Sequence, residues 1–158
     1  MRVLFVCTGN TCRSALAEAI AGREAAGRGF TDVYSASAGT SAWDGAPASD
    51  GALLVGIERK LDVNSHRSRQ LSREIVSQTD LILAMGPHHV ERIEALGGAG
   101  KTYLITDYAE RSEEGRAIVD PFGGGLDIYR STVDELERVM VLVFDRIASE
   151  RPRNSGAV

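Results

Sequence analysis

Cysteine is scarce in this chain: two thiols, Cys7 and Cys12, among 158 residues. A secreted domain framed by disulfides carries more. Two cysteines and three histidines (His66, His88, His89) make no four-ligand zinc pattern. Long hydrophobic runs are missing as well. The apolar run at 1–6, MRVLFV, is too short for a signal-peptide core and breaks into a Gly/Asn/Thr loop, so it reads as a buried strand. Nothing approaches the roughly 20 apolar residues that cross a bilayer. Excess positive charge is also absent. Eighteen Lys and Arg stand against 22 Asp and Glu, a net charge of -4, which gives no broad attraction to nucleic acid. The basic cluster His66, Arg67 and Arg69 reads as a solvated loop entering a helix. No repeat, linker or low-complexity segment occurs. The expectation is a cytoplasmic protein with one domain over 1–150 and a polar, frayed tail at 151–158.

What is present alternates between two periods. Four short apolar runs, at 2–6, 33–38, 81–84 and 102–105, read as strands. The first and third are nearly continuous in Val, Leu, Ile and Phe, the composition of strands covered on both faces. Helical patterns fall between them at 14–26, 47–56, 72–78 and 87–96, and a long one runs from about 127 to 150. Pro47 and Pro87 suit a first helical turn, Ser72 suits a cap, and Gly27 and Gly97 suit stops. Leu136, Val139, Met140, Val143 and Ile147 give the last helix one apolar face. This alternation predicts an α/β fold with a four-stranded parallel sheet in a three-layer arrangement, flanked by helices. The segments 40–46, with the single tryptophan, Trp43, and 108–126 read as loops long enough to carry function.

The string FVCTGNTCRSALAEAI carries the chemistry. Cys7 lies where a buried strand ends, and Arg13 and Ser14 lie where a helix begins. In a doubly wound sheet ligands bind outside the carboxyl ends of the strands. A short loop running into a helix N-terminus aims successive amides at one point, an anion-binding nest helped by the helix dipole. Gly9 supplies the backbone freedom such a turn asks for. Arg13 offers a planar fork of donors to two phosphate oxygens. A cysteine beneath that nest sits in a positive field that favours its anionic, nucleophilic form without a histidine base. Ser14 is placed to donate a hydrogen bond to that sulfur. The alternative is that Cys7 and Cys12 are small buried residues beside an ordinary turn. A nucleotide-type phosphate loop is excluded by the lack of a G-x-x-x-x-G-K-[ST] string.

With CTGNTCRS at 7–14, DPFGG at 120–124, SAGTSAW, SHRSRQLS and the element order, the chain resembles the low-molecular-weight protein tyrosine phosphatase family over nearly its whole length. The resemblance implies a phosphatase acting on phosphorylated proteins through a phosphocysteine intermediate, without cofactor or metal. It implies Cys7 as nucleophile, Arg13 as phosphate clamp, and Asp120 as the acid that protonates the leaving group and then the base that activates water. Thr8, Gly9, Asn10, Thr11, Cys12 and Ser14, with Phe122, are the implied phosphate and substrate contacts. Asn10, Ser37 and His66 match a network that props the loop. Cys12 matches a cysteine that pairs with Cys7 on oxidation, or is an inert residue at the helix start. Ala15 departs from a proline common in the family. The implied partners are phosphoproteins, with no nucleic acid or membrane, in a monomer or weak dimer.

Thr11 bears on the substrate. Tyrosine-directed members commonly carry an aliphatic residue there. Thr11 with DPFGGGLDIY resembles the bacterial protein-arginine phosphatase branch. A hydroxyl there suits a polar, flat P–N group, whereas isoleucine would pack on a ring. Phosphoarginine is therefore favoured, with phosphotyrosine as the alternative. Phe122 and Trp43 are candidate apolar walls. An arsenate reductase of this fold would want cysteines after Cys12, a phosphocysteine carrier would not need Arg13 with Asp120, and a silent phosphate-binding module would not need all three.

Overall fold

Strand β1 (Arg2–Cys7) carries five consecutive buried residues after Arg2. Side chains along a strand alternate between faces, and here both faces are covered. Val3, Phe5 and Cys7 enter one apolar cluster, and Leu4 and Val6 enter another. Three further strands pair in parallel with β1 or with one another: β2 (Tyr34–Gly39), β3 (Leu81–Ala84) and β4 (Thr102–Leu104), in the order β2-β1-β3-β4. In register, Phe5 lies opposite Ser37 on one side and Leu83 on the other. Residues 1–151 are described in this computed structural model, and the tail expectation beyond Arg151 falls outside them.

Helices close both faces. The larger cluster joins Leu16, Ala17 and Ile20 of α1 (Arg13–Gly27) and Val55 of α2 (Asp50–Arg59) to Leu136, Met140 and Val143 of α6 (Leu126–Glu150). The smaller one joins Val76 of α3 (Arg73–Ser77) and Ile93 of α4 (Pro87–Ile93) to Ile82 and Ala84. Each fully buried Leu, Ile or Phe contributes about 1.5–3 kcal/mol. The result is the expected three-layer α/β fold with a four-stranded parallel sheet. Because β1 connects to β2 on one side and β3 lies on the other, the loop after β1 occupies the point where strand order reverses, the crevice in which such sheets bind ligands.

Several boundaries differ from expectation. The second helix starts at Asp50 rather than Pro47, because the Ser49 hydroxyl accepts from the Ala52 amide and fixes the cap there. The last strand stops at Leu104, and Ile105 opens α5 (Ile105–Glu110), a helix in part of a segment expected to be a loop. Burial of Ile105, Tyr108 and Ala109 holds that helix, and six residues are too few for the period to show in sequence. Helix α4 ends at Ile93 and loosens into a wider turn over Glu94–Gly98, closed by Gly97 at φ 98°.

The ends of β1 and β2 meet the loop without spare room. Thr40 and Ser41 donate their amides to the carbonyls of Cys7 and Thr8. A Cβ on Gly39 would stand 2.4 Å from the Thr8 carbonyl oxygen and 3.0 Å from the Asn10 amide. Gly39→Ala is expected to lower stability by roughly 1–3 kcal/mol, as overpacking against backbone does. Gly27→Ala, where no atom lies within 4 Å, should leave it nearly unchanged. Chemical denaturation of both variants checks this.

Candidate active site

The loop between β1 and α1 is shaped by one residue in the left-handed region. Asn10 has φ 57°, and Gly9 is not among the positive-φ glycines. The freedom expected of Gly9 is therefore not used, and the turn falls on Asn10, a residue type that tolerates this conformation. Asn10 is fully buried and every polar group on it is engaged. Its Nδ2 donates to Ser14 Oγ at 2.8 Å and to Ser37 Oγ at 2.9 Å. Its Oδ1 accepts from the Arg69 amide at 3.0 Å. Its carbonyl accepts from His66 Nε2 at 2.6 Å. Its amide donates to Cys7 Sγ at 3.3 Å.

Hydrogen bookkeeping then fixes the direction of the chain. Both Asn10 Nδ2 protons are taken, so Ser14 and Ser37 accept from it. Ser37 passes its own proton to Glu18 Oε1 at 2.7 Å. Ser14 has its proton free for Cys7 Sγ, 2.9 Å away. The sulfur thus receives a backbone N–H and a hydroxyl, which suits an anion. The N-terminus of α1 adds to this field. No side chain caps it and no acidic residue lies in its first turn, so its amides stay open toward the loop.

Arg13 is buried, and its Nη1 donates to the Ile118 carbonyl at 3.1 Å. Its other terminal nitrogen lies 3.5 Å from Asp120 Oδ2. Ile118 is in turn pinned by its amide to the Met85 carbonyl at the end of β3. Asp120 Oδ1 accepts from the Phe122 amide at 3.1 Å, which turns the chain at Pro121, and its carboxylate is half exposed. A pocket of about 190 Å³ is lined by Cys7, Thr8, Gly9, Thr11, Cys12, Arg13, Asp120 and Phe122. Sulfur, guanidinium and carboxylate share this cavity although Asp120 lies 107 positions beyond Arg13. Among the described residues no group of three or more His, Cys, Asp or Glu is placed to hold a metal ion.

Some expectations need correction. Trp43 is 86% exposed and does not line the pocket; its carbonyl accepts from Ser68 Oγ, so this segment is tied down through its backbone. The basic cluster is not merely solvated. His66 and the Arg69 amide both hold Asn10, and Arg69 Nε donates to the Ser37 carbonyl at 2.9 Å; Arg67 and Arg69 are both exposed, and Arg67 binds only its own loop. Cys12 is unpaired, as is Cys7. Its thiol donates to Ser49 Oγ at 3.2 Å and lies 3.4 Å from the Tyr129 hydroxyl. Glu18 escaped the sequence reading, although it lies four positions after Ser14 on one helix face. His89 escaped it too. It is wholly buried and its Nε2 lies 2.9 Å from Thr8 Oγ1.

The family described as low molecular weight phosphotyrosine protein phosphatase matches residues 2–153. A protein-arginine-phosphatase of Bacillus subtilis is 35% identical over 153 residues, 96% of this chain and 99% of that one. The low molecular weight protein-tyrosine-phosphatase PtpB of Staphylococcus haemolyticus is 36% identical over 137 residues, 86% of this chain and 92% of that one. Among solved structures, the YwlE arginine phosphatase, as a C7S mutant with a phosphorylated active-site serine, superposes with a TM-score of 0.88 at 35% identity. That match covers 96% of this chain and 98% of that one.

Burial pushes the His89 imidazole down to about 4 from its usual 6.5, helped by the neighbouring His88 and Arg13 and opposed by Asp120. Between those two values the unfolded chain takes up a proton that the folded chain refuses. Stability therefore rises with pH across the window and is lost as pH falls through it. Denaturation midpoints measured from pH 7 to pH 5 should fall for the native protein, and His89→Gln should flatten that slope.

Proposed function

Because this chain belongs to the low molecular weight phosphotyrosine protein phosphatase family, we propose that it dephosphorylates proteins through Cys7, with phosphoarginine as the preferred side chain. The observation that carries this reading is the meeting of Cys7, Arg13 and Asp120 in one pocket at the switch point of the sheet. The sulfur, stabilised by Ser14 and the Asn10 amide, attacks phosphorus. The S–P bond forms as the bond to the leaving nitrogen or oxygen breaks. Loop amides and the Arg13 fork bind the equatorial oxygens. Asp120 gives its proton to the leaving atom, then takes one from the water that attacks phosphocysteine. Phosphate leaves and Ser14 again holds the thiolate. The phosphorylated active-site serine of the similar YwlE mutant supports a covalent route. A cytoplasmic location goes with this reading, since a reducing compartment keeps Cys7 a free thiol.

Arg13 contacts Asp120, so an incoming phosphate dianion replaces the carboxylate on the guanidinium; beside that dianion Asp120 takes up a proton from solvent, which it then gives to the leaving group. Asp120→Ala is expected to lower kcat by about 10²–10⁴-fold for poor leaving groups, and less for activated aryl phosphates. A uniform loss across a leaving-group series would count against the acid role.

The preference for phosphoarginine rests on Thr11, which lines the pocket with its hydroxyl 3.8 Å from Cys12 Sγ, and on the arginine-phosphatase relatives. A hydroxyl there can pair with the P–N group, whereas an aliphatic side chain would leave that group unmatched. Thr11→Ile should reduce kcat/KM on a phosphoarginine peptide by about tenfold or more and raise the ratio of phosphotyrosine to phosphoarginine kcat/KM. Equal preference in both proteins would remove Thr11 as the basis of the phosphoarginine preference, and a wild-type preference for the phosphotyrosine peptide would favour the tyrosine-directed reading that PtpB among the relatives keeps in view.

A further inference from the structure

Behind the pocket lies a buried imidazole that the reaction above does not use. His89 opens no path to solvent and sits in α4, 81 residues from Thr8 in sequence. Its Nε2 meets Thr8 Oγ1 at 2.9 Å, and its Nδ1 has no hydrogen-bond partner. The groups facing the ring are His88, tilted at 42° to it with 3.8 Å between centroids, with Arg13 and Asp120 from the pocket side. In these surroundings the ring is neutral at pH 7 and carries one proton. Placing it on Nδ1 would bury an N–H with nothing to accept it. Placing it on Nε2 gives that N–H the Thr8 oxygen and leaves only a bare lone pair on Nδ1, the less costly of the two orphans.

That tautomer has a consequence for Thr8. An oxygen that accepts from His89 keeps its own proton to give elsewhere. Thr8 is exposed and lines the pocket beside Cys7. We propose that His89 is a positioning residue, whose Nε2–H holds Thr8 Oγ1 so that the threonine hydroxyl points its proton into the pocket as a donor to the bound phosphoryl group. The loop then presents a side-chain donor in addition to its amides and Arg13, set by a residue outside the loop. This rests on the phosphatase reading for the identity of the anion, but it is a claim about anion binding and is tested as one.

The probe is inorganic phosphate, with its Kd read as protection of Cys7 from alkylation by iodoacetamide, followed by mass spectrometry. This readout needs no turnover. Hydrolysis of p-nitrophenyl phosphate is followed separately, so a protein that binds phosphate without hydrolysing the ester fails the functional reading and not this one. Thr8→Val and His89→Leu should each weaken phosphate binding by about tenfold, the effect of losing one hydrogen bond to a charged group. The double variant should be no weaker than either single one, because both remove the same bond. His89→Gln, whose amide can donate from a similar place, should return binding to within about threefold of the native protein. Multiplying losses in the double variant, or a glutamine no better than leucine, would reduce His89 to a packing residue. Should His89→Leu not fold, Thr8→Val still decides the matter: an unchanged Kd in that variant overturns the proposal.

Discussion

The site depends on the side chain of Asn10, a single buried amide. It stands in the left-handed region with no accessible surface, and it links β1, α1, β2 and the 66–69 segment through direct hydrogen bonds. A buried polar group is costly unless every bond it can make is made. Here that condition is met on all sides, so the same penalty that would attach to a broken network enforces a unique loop shape. Its last link reaches Ser14, whose proton points at the sulfur only because Asn10 has claimed the oxygen's acceptor side.

The second contribution comes from what surrounds that loop. The first turn of α1 has neither a capping side chain nor a carboxylate, whereas the Ser49 and Ser72 hydroxyls accept from the first turns of α2 and α3. Caps stabilise a helix by about 1 kcal/mol each, and α1 forgoes that at the end facing the pocket. Packing of Leu16, Ala17, Ile20 and Ala21 against the sheet and α6 supplies what the missing cap does not.

Much of this was legible in the sequence, for physical reasons. Strands buried on both faces must be almost wholly apolar, so β1 and β3 could be read directly. A thiol and a guanidinium that line one pocket from the two ends of a short loop lie close in sequence, so Cys7 and Arg13 could be picked out by spacing. The misses also have reasons. Helix α5 is too short to display a period, and Ser49 overrode a proline that was a plausible first residue. Glu18, the Arg69 amide and His89 reach the loop only through tertiary contacts, spanning 19 residues from Glu18 to Ser37, 59 from Asn10 to Arg69 and 81 from Thr8 to His89. Nothing local marks His89, Glu18 shows only its four-residue spacing from Ser14, and Arg69 was hidden inside what looked like a solvated charge run.

The contact between Arg13 and Asp120 has an implication for the resting protein. A cation and an anion 3.5 Å apart in one pocket offset one another, so the cleft projects less positive potential than its arginine alone would. Chloride and other small monovalent anions meet a guanidinium that already has a counterion. A doubly charged phosphoryl group that can also engage the loop amides is the better competitor for it. The pair therefore acts as a selectivity filter at rest, favouring ligands with enough charge and the right shape to part it.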